Sequence, residues 1–140
     1  MLKDVINDIA KGLKIPPPEP NEDGEYVFVF DDLLEISLLS LKKNSLIISA
    51  AVSYELSNTP EMENLFKKIL QLNFIRLKEY EEVLTWDPDS YAIVLFKEIP
   101  FSDLSEKPIL DHLEKFLNSL EFWQGAIAQK ANAPMSHLPQ

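Results

Sequence analysis

Between Tyr26 and Leu56 the chain carries three strand-patterned segments in succession, joined by connections too short to hold a crossover helix. Parallel neighbours need a dozen or more linking residues, so these three strands are expected to pair antiparallel. Tyr26-Val27-Phe28-Val29-Phe30 is β-branched or aromatic throughout, which makes both of its faces apolar. Either both faces are covered or one awaits a partner. Asp31-Asp32 separates it from a segment in which Leu34, Ile36 and Leu38 alternate with Glu35 and Ser37. The alternation then shifts to Leu39 and Leu41 around Ser40, which predicts a bulge. After a hairpin loop at Lys42-Lys43-Asn44-Ser45, one face of the third strand holds Leu46, Ile48, Ala50, Val52, Tyr54 and Leu56. Ile47, Ser49, Ala51, Ser53 and Glu55 share the other, smaller and more polar face.

Helical periods flank this meander. Leu2, Val5, Ile6, Ile9 and Leu13 form one stripe of a helix over 2–14, which Pro16-Pro17-Pro18 and Pro20 then stop. The turn Asn21-Glu22-Asp23-Gly24 leads into the first strand. A second helix is expected from Thr59-Pro60-Glu61, which reads as a hydroxyl N-cap, a proline at the first helical position and an acid in the first turn. Met62, Leu65, Phe66, Ile69 and Leu70 supply its apolar stripe and Asn73 its expected end. Phe74–Glu82 reads equally as helix, loop or edge strand. Val83-Leu84-Thr85-Trp86, the turn Asp87-Pro88-Asp89-Ser90 and Tyr91–Ile99 form a second hairpin. The last helix is expected near Ser105, with Pro108 in its first turn. Ile109, Leu113, Phe116, Leu120, Trp123 and Ile127 make its stripe, widened by Leu110 and Leu117. The order α-β-β-β-α-β-β-α defines an α+β fold, a twisted antiparallel sheet with helices packed on it. A single domain is expected over 1–129, with a disordered tail over 130–140, where period is absent and two prolines fall.

Charge narrows the partners. Thirteen Lys and Arg against 23 Asp and Glu give a net charge of −10, and cations adjoin only at Lys42-Lys43 and Lys67-Lys68. Nucleic acid and anionic membrane are therefore poor partners. No run approaches the ~20 apolar residues of a membrane span. Met1-Leu2-Lys3-Asp4 lacks a basic region ahead of an apolar core, so no signal peptide is expected and the domain reads as intracellular.

Reactive chemistry is sparse. The absence of cysteine excludes disulfides, thiolate metal sites and thiol nucleophiles. The two histidines, His112 and His137, read as solvated or capping residues, so no metal site is expected. Asp31-Asp32 and Glu81-Glu82 are neighbours whose side chains point to opposite faces of a strand, which suits turn-forming surface acids better than a catalytic pair. Asp87, Asp89 and Glu98 imitate part of a calcium loop, but Ala92 stands where glycine is needed. Three glycines without a phosphate-binding arrangement leave no nucleotide cradle, so neither cofactor nor catalysis is expected. What stands out is apolar supply: three helical stripes and a strand that is apolar on both faces. On an acidic chain, surplus of this kind marks a protein interface.

Several local features then resemble one family. They are Ile69-Leu70-Gln71-Leu72-Asn73-Phe74 closing the second helix, the hairpin Leu84-Thr85-Trp86-Asp87-Pro88-Asp89-Ser90-Tyr91-Ala92-Ile93-Val94-Leu95, and Ile99-Pro100-Phe101-x-x-Leu104 before a helix bearing Leu113, Phe116 and Trp123. With the size, the pI of about 4.6 and the element order, the chain over roughly 2–129 resembles the class I chaperones of bacterial type III secretion, the CesT/Tir-chaperone-like group. The resemblance implies a cytoplasmic bacterial dimer that binds an extended N-terminal segment of a secreted effector and keeps it export-competent without ATP. It also implies a dimer interface on the second helix and following strand, here Leu65, Ile69, Leu72, Phe74, Val83, Leu84 and Trp86. The client patch would be Val5, Ile6, Ile9 and Leu13 of the first helix with Phe28, Phe30 and Ile36 of the sheet. Bulky Phe74-Ile75-Arg76-Leu77-Lys78-Glu79-Tyr80 stands where relatives often carry small residues, which leaves room for a heterodimer with a related chaperone. The alternatives are a small acidic adaptor that binds a folded partner, and a small hydrolase using the acids above.

Overall fold

The computed structural model describes residues 1–53, 60–77 and 80–131, with side chains described at 1–53, 63–77 and 80–128. The expected third-strand residues Tyr54 and Leu56, the N-cap Thr59, the side chains of Glu61 and Met62, Lys78-Glu79 and the tail over 132–140 lie outside the described residues.

The elements follow the expected order: α1 (Leu2–Leu13), β1 (Tyr26–Phe30), β2 (Leu34–Leu39), β3 (Ser45–Ser53), α2 (Pro60–Arg76), β4 (Val83–Asp87), β5 (Ala92–Pro100), a 3-10 turn at Phe101–Ser105 and α3 (Ile109–Ala131). The strands form one antiparallel sheet in the order β1-β2-β3-β5-β4. Both hairpins pair locally, and α2 is the excursion that lets β5 return beside β3. Alternation decides which side chains face the helices. Phe28, Ile36, Ile48 and Leu95 are buried on the inner face, against Leu113, Phe116, Leu120 and Trp123 of α3. Val27, Ser37, Ser49, Phe96 and Val83 cross the outer face in one row, each half-buried. Strand β1 is therefore covered on one side only, with Val29 left 57% exposed.

Local chemistry explains several boundaries. The turn into β1 is tied by Asn21, whose side-chain oxygen accepts from the Asp23 and Glu25 amides at 2.9 Å each, while Gly24 takes φ +80°. Asp31 and Asp32 both adopt left-handed backbone, φ 54° and 59°, at the tip of the β1–β2 turn, a conformation aspartate tolerates. Three expectations fail. Strand β2 ends at Leu39 without a bulge, and the irregularity lies instead between Ala51 and Ser53 of β3 against β5. The last helix begins at Ile109, not near Ser105, because Pro108 lacks an N–H and sits just ahead of the first turn. Helix α2 runs past Asn73 to Arg76.

Helix α1 ends in strain that a substitution can relieve. Lys14 closes it with φ 59°, its amide and that of Ile15 returning to the carbonyls of the last turn. Glycine occupies such a position without steric cost. Lys14→Gly is expected to stabilise the chain by about 0.5–1 kcal/mol, raising the melting temperature by about 2–4 °C in a calorimetric scan.

Candidate functional site

The largest concentration of exposed apolar side chains lies on α2 and the edge strand β4. Leu70, Phe74 and Leu77 follow one another at spacings of four and three residues, so they form one ridge, with Ile75 beside it. Leu70 is 61% exposed and Phe74 66%. Between this ridge and the sheet runs an apolar groove of about 300 Å³, lined by Phe66, Ile69, Leu70, Leu84, Trp86 and Ile93 among others. Phe66, Trp86 and Tyr91 form a ladder across it, with ring centres 5.4 and 6.0 Å apart. Strand β4 pairs with β5 on one side, and among the described residues its other edge pairs with no strand. A long apolar ridge, an aromatic groove and an open backbone edge lie together, a combination that suits association with another polypeptide.

The positions expected at a dimer interface divide along this geometry. Phe74 and Trp86 are exposed, and Leu72 and Val83 are half-buried. Leu65, Ile69 and Leu84 are buried in the chain's own core, with Ile69 and Leu84 forming the groove floor. Leu70, which the helical period places in the buried stripe, faces outward instead. Leu70, Ile75, Leu77 and Tyr91 complete the surface, and the bulky 74–80 stretch was the signal for Ile75 and Leu77. The expected client patch needs a larger correction. Val5, Ile6, Ile9, Phe28 and Ile36 are all buried, because the stripe of α1 packs inward with the sheet's inner face. Leu13 and Phe30 are half-buried and line a second groove, between α1, the end of β1 and α3.

Behind the ridge, Arg76 ties the end of α2 to α3. Its guanidinium lies 4.1 Å from the Tyr80 ring centre and 4.0 Å from that of Phe122, and it reaches Ser119 Oγ at 3.5 Å. Ser119 in turn donates to Glu82 Oε1. Glu82 is thus a buried acid rather than the surface acid its position suggested, whereas Glu81 is exposed and lies 3.9 Å from Lys97 Nζ. The Asp87 carboxylate caps the β4–β5 turn, accepting from the Asp89 amide and Ser90 Oγ, and the Ser90 bond above all holds its pKa below the ordinary value. Glu98 is lowered likewise, by Ser45 Oγ at 2.6 Å first and by Lys42 second. These acids brace turns and strand ends. Among the described residues, no group of three acids and histidines could hold a metal ion.

His112 also departs from expectation. It is buried, and its Nε2 has no hydrogen-bond partner among the described residues. Burial foremost, then nearby Lys97 and Lys107, pushes its pKa below the ordinary 6.5. The neutral form is therefore the one the fold accommodates, so its contribution is complete above pH 6.5 and is lost as pH falls towards the depressed folded value. His112→Leu is expected to flatten that part of the stability–pH curve in urea titrations. An unchanged slope would contradict this account.

A sequence model of the Tir chaperone protein (CesT) family matches residues 4–124. The chain belongs to that family. Solved structures agree on the fold. A chain of the ExsC–ExsE complex superposes with a TM-score of 0.71 at 21% identity, over 88% of this chain and 90% of that one. A chain of the HopA1–SchA chaperone–effector complex gives 0.68 at 17%, over 89% and 93%. A chain of the Yersinia pestis type III secretion chaperone SycH in complex with a fragment of YscM2 gives 0.60 at 14%, over 88% and 99%. No curated protein sequence matches the chain. The CesT-family match spans every strand and all but the last residues of α3, so the ridge and both grooves lie within it. No helix among the described residues is long and apolar enough to cross a membrane.

Proposed function

We propose that this CesT-family chain is a type III secretion chaperone. It binds an extended N-terminal segment of a secreted effector in the bacterial cytoplasm and keeps it export-competent, with neither ATP nor a catalytic step. The observation that carries this reading is the family match over 4–124, which supplies the chaperone class to a molecule whose most prominent surface feature is a solvent-exposed apolar ridge. In this reading Leu70, Leu72, Phe74, Ile75, Val83 and Trp86 meet a second copy of the chain, over Ile69 and Leu84. Leu13 and Phe30 stay available to the client. Holding a disordered segment costs its chain entropy, so the client must be wrapped over a long surface, and apolar grooves separated on the molecule provide that.

The test is co-expression with an effector encoded beside the chaperone, followed by purification in nucleotide-free buffer. The N-terminal effector segment is expected to co-purify and to stay soluble only with the chaperone. Binding of folded effector domains with no dependence on that segment would favour the adaptor reading instead.

A further inference from the structure

The groove that holds Leu13 and Phe30 differs from the α2 groove in its charge. It has a volume of about 260 Å³, and its apolar floor includes Leu110 and Leu117 of α3. The two helices run close here, since a methyl group on Gly12 would lie 2.4 Å from Leu110 Cδ1. Its rim is acidic: Asp31 from the β1–β2 turn, and Glu114 and Glu121, which lie two turns apart on α3. No lysine or arginine lines it. Each of the three acids is exposed, and none forms an ion pair among the described residues. Lys115, the adjacent cation on α3, lies 6.0 Å from the Tyr80 ring centre instead. Elsewhere cations do sit beside acids, as Lys42 does at Glu98 and Lys97 at Glu81. The rim therefore offers negative charge around an apolar trough, and a segment seated there gains most if it presents the opposite sign.

We infer that this groove takes a client segment in which bulky apolar side chains are flanked by lysine or arginine, the apolar groups filling the trough and the cations meeting Asp31, Glu114 and Glu121. The inference rests on the chaperone reading above and adds the chemistry that selects the segment.

Two labelled synthetic peptides test it on the full-length chain, one alternating leucine with lysine and one leucine with glutamate. The lysine peptide is expected to bind and the glutamate peptide to fail. Exposed pairs of this kind are worth little singly, so Glu114→Gln with Glu121→Gln should weaken the lysine peptide by about three- to tenfold. Asp4→Asn with Asp8→Asn, an equal change in net charge on α1, should leave it unchanged. Equal binding of both peptides would overturn the inference, since charge would then play no part in selection. So would equal weakening by the two pairs of substitutions, since attraction would then be to net charge alone. Circular dichroism confirms folding, and both glutamates are exposed, so the double variant stays readable. Effector capture separates this inference from the reading beneath it. Full capture by wild-type chain and Glu114→Gln/Glu121→Gln alike would sink the charge rule and leave the chaperone standing. Failure of wild type to capture any effector segment would remove both.

Discussion

A chain carrying Leu70→Asp and Ile75→Asp is expected to run as a 16.1 kDa monomer in light scattering at concentrations where the native chain runs at twice that mass. Both side chains are more than half exposed, so the substitutions leave the monomer's own core intact. Each apolar side chain buried in an interface contributes about 1.5–3 kcal/mol, and a desolvated aspartate in its place adds a further cost. Both lesions occur once per subunit, so a symmetric dimer suffers them twice. The combined loss is about 6 kcal/mol or more, roughly four orders of magnitude in the dissociation constant. Ile69→Asp would bring the partner-facing and core roles down together, because Ile69 is buried beneath the ridge. Only the outward pair separates association from folding. An unaltered dimer in the double variant would place the second copy on another surface.

The largest effect on folding is expected from Trp123→Ala. Trp123 is buried in α3, its ring set edge-on to Phe122 with centres 5.4 Å apart and the Arg76 guanidinium 5.7 Å away. Truncation removes the largest buried side chain and leaves a cavity where α3 faces the sheet, at a cost of about 3–5 kcal/mol. That is a large share of the 5–15 kcal/mol by which domains of this kind are stable. In urea the midpoint should fall sharply while the slope of the transition stays constant. A midpoint shift worth less than about 1 kcal/mol would mean that α3 is not the lid of the core.

The fold was legible because its period changes so clearly. Alternation in 34–38 and 46–52 and the 3.6-residue spacing from Ile109 to Ile127 each admit one reading, and Ile109, Leu113, Phe116, Leu120, Trp123 and Ile127 are all buried. The surface was harder to read because apolar side chains at an interface and in a core share one composition. Leu65, Ile69, Leu70 and Phe74 all continue the pattern of α2, yet the first two face the core and the last two face away. Helix α1 shows the opposite case, a stripe strong enough to serve a client but buried in the chain's own core, where α1 packs beside α3. Glu82 and His112 were misread for a different reason. Their burial depends on where β4 and α3 approach Ser119 and Lys97, contacts between elements far apart in sequence. The acidic rim at Asp31, Glu114 and Glu121 was invisible for the same cause, since the β1–β2 turn and α3 meet only in the folded chain.

The central claim is that one apolar surface joins two subunits while another stays free to hold an unfolded guest. Light scattering on the purified complex with an N-terminal effector segment tests this in one measurement. The account predicts a particle containing two copies of this chain and bound effector segment. A particle containing a single copy, or a pair of copies that excludes the segment, would contradict it.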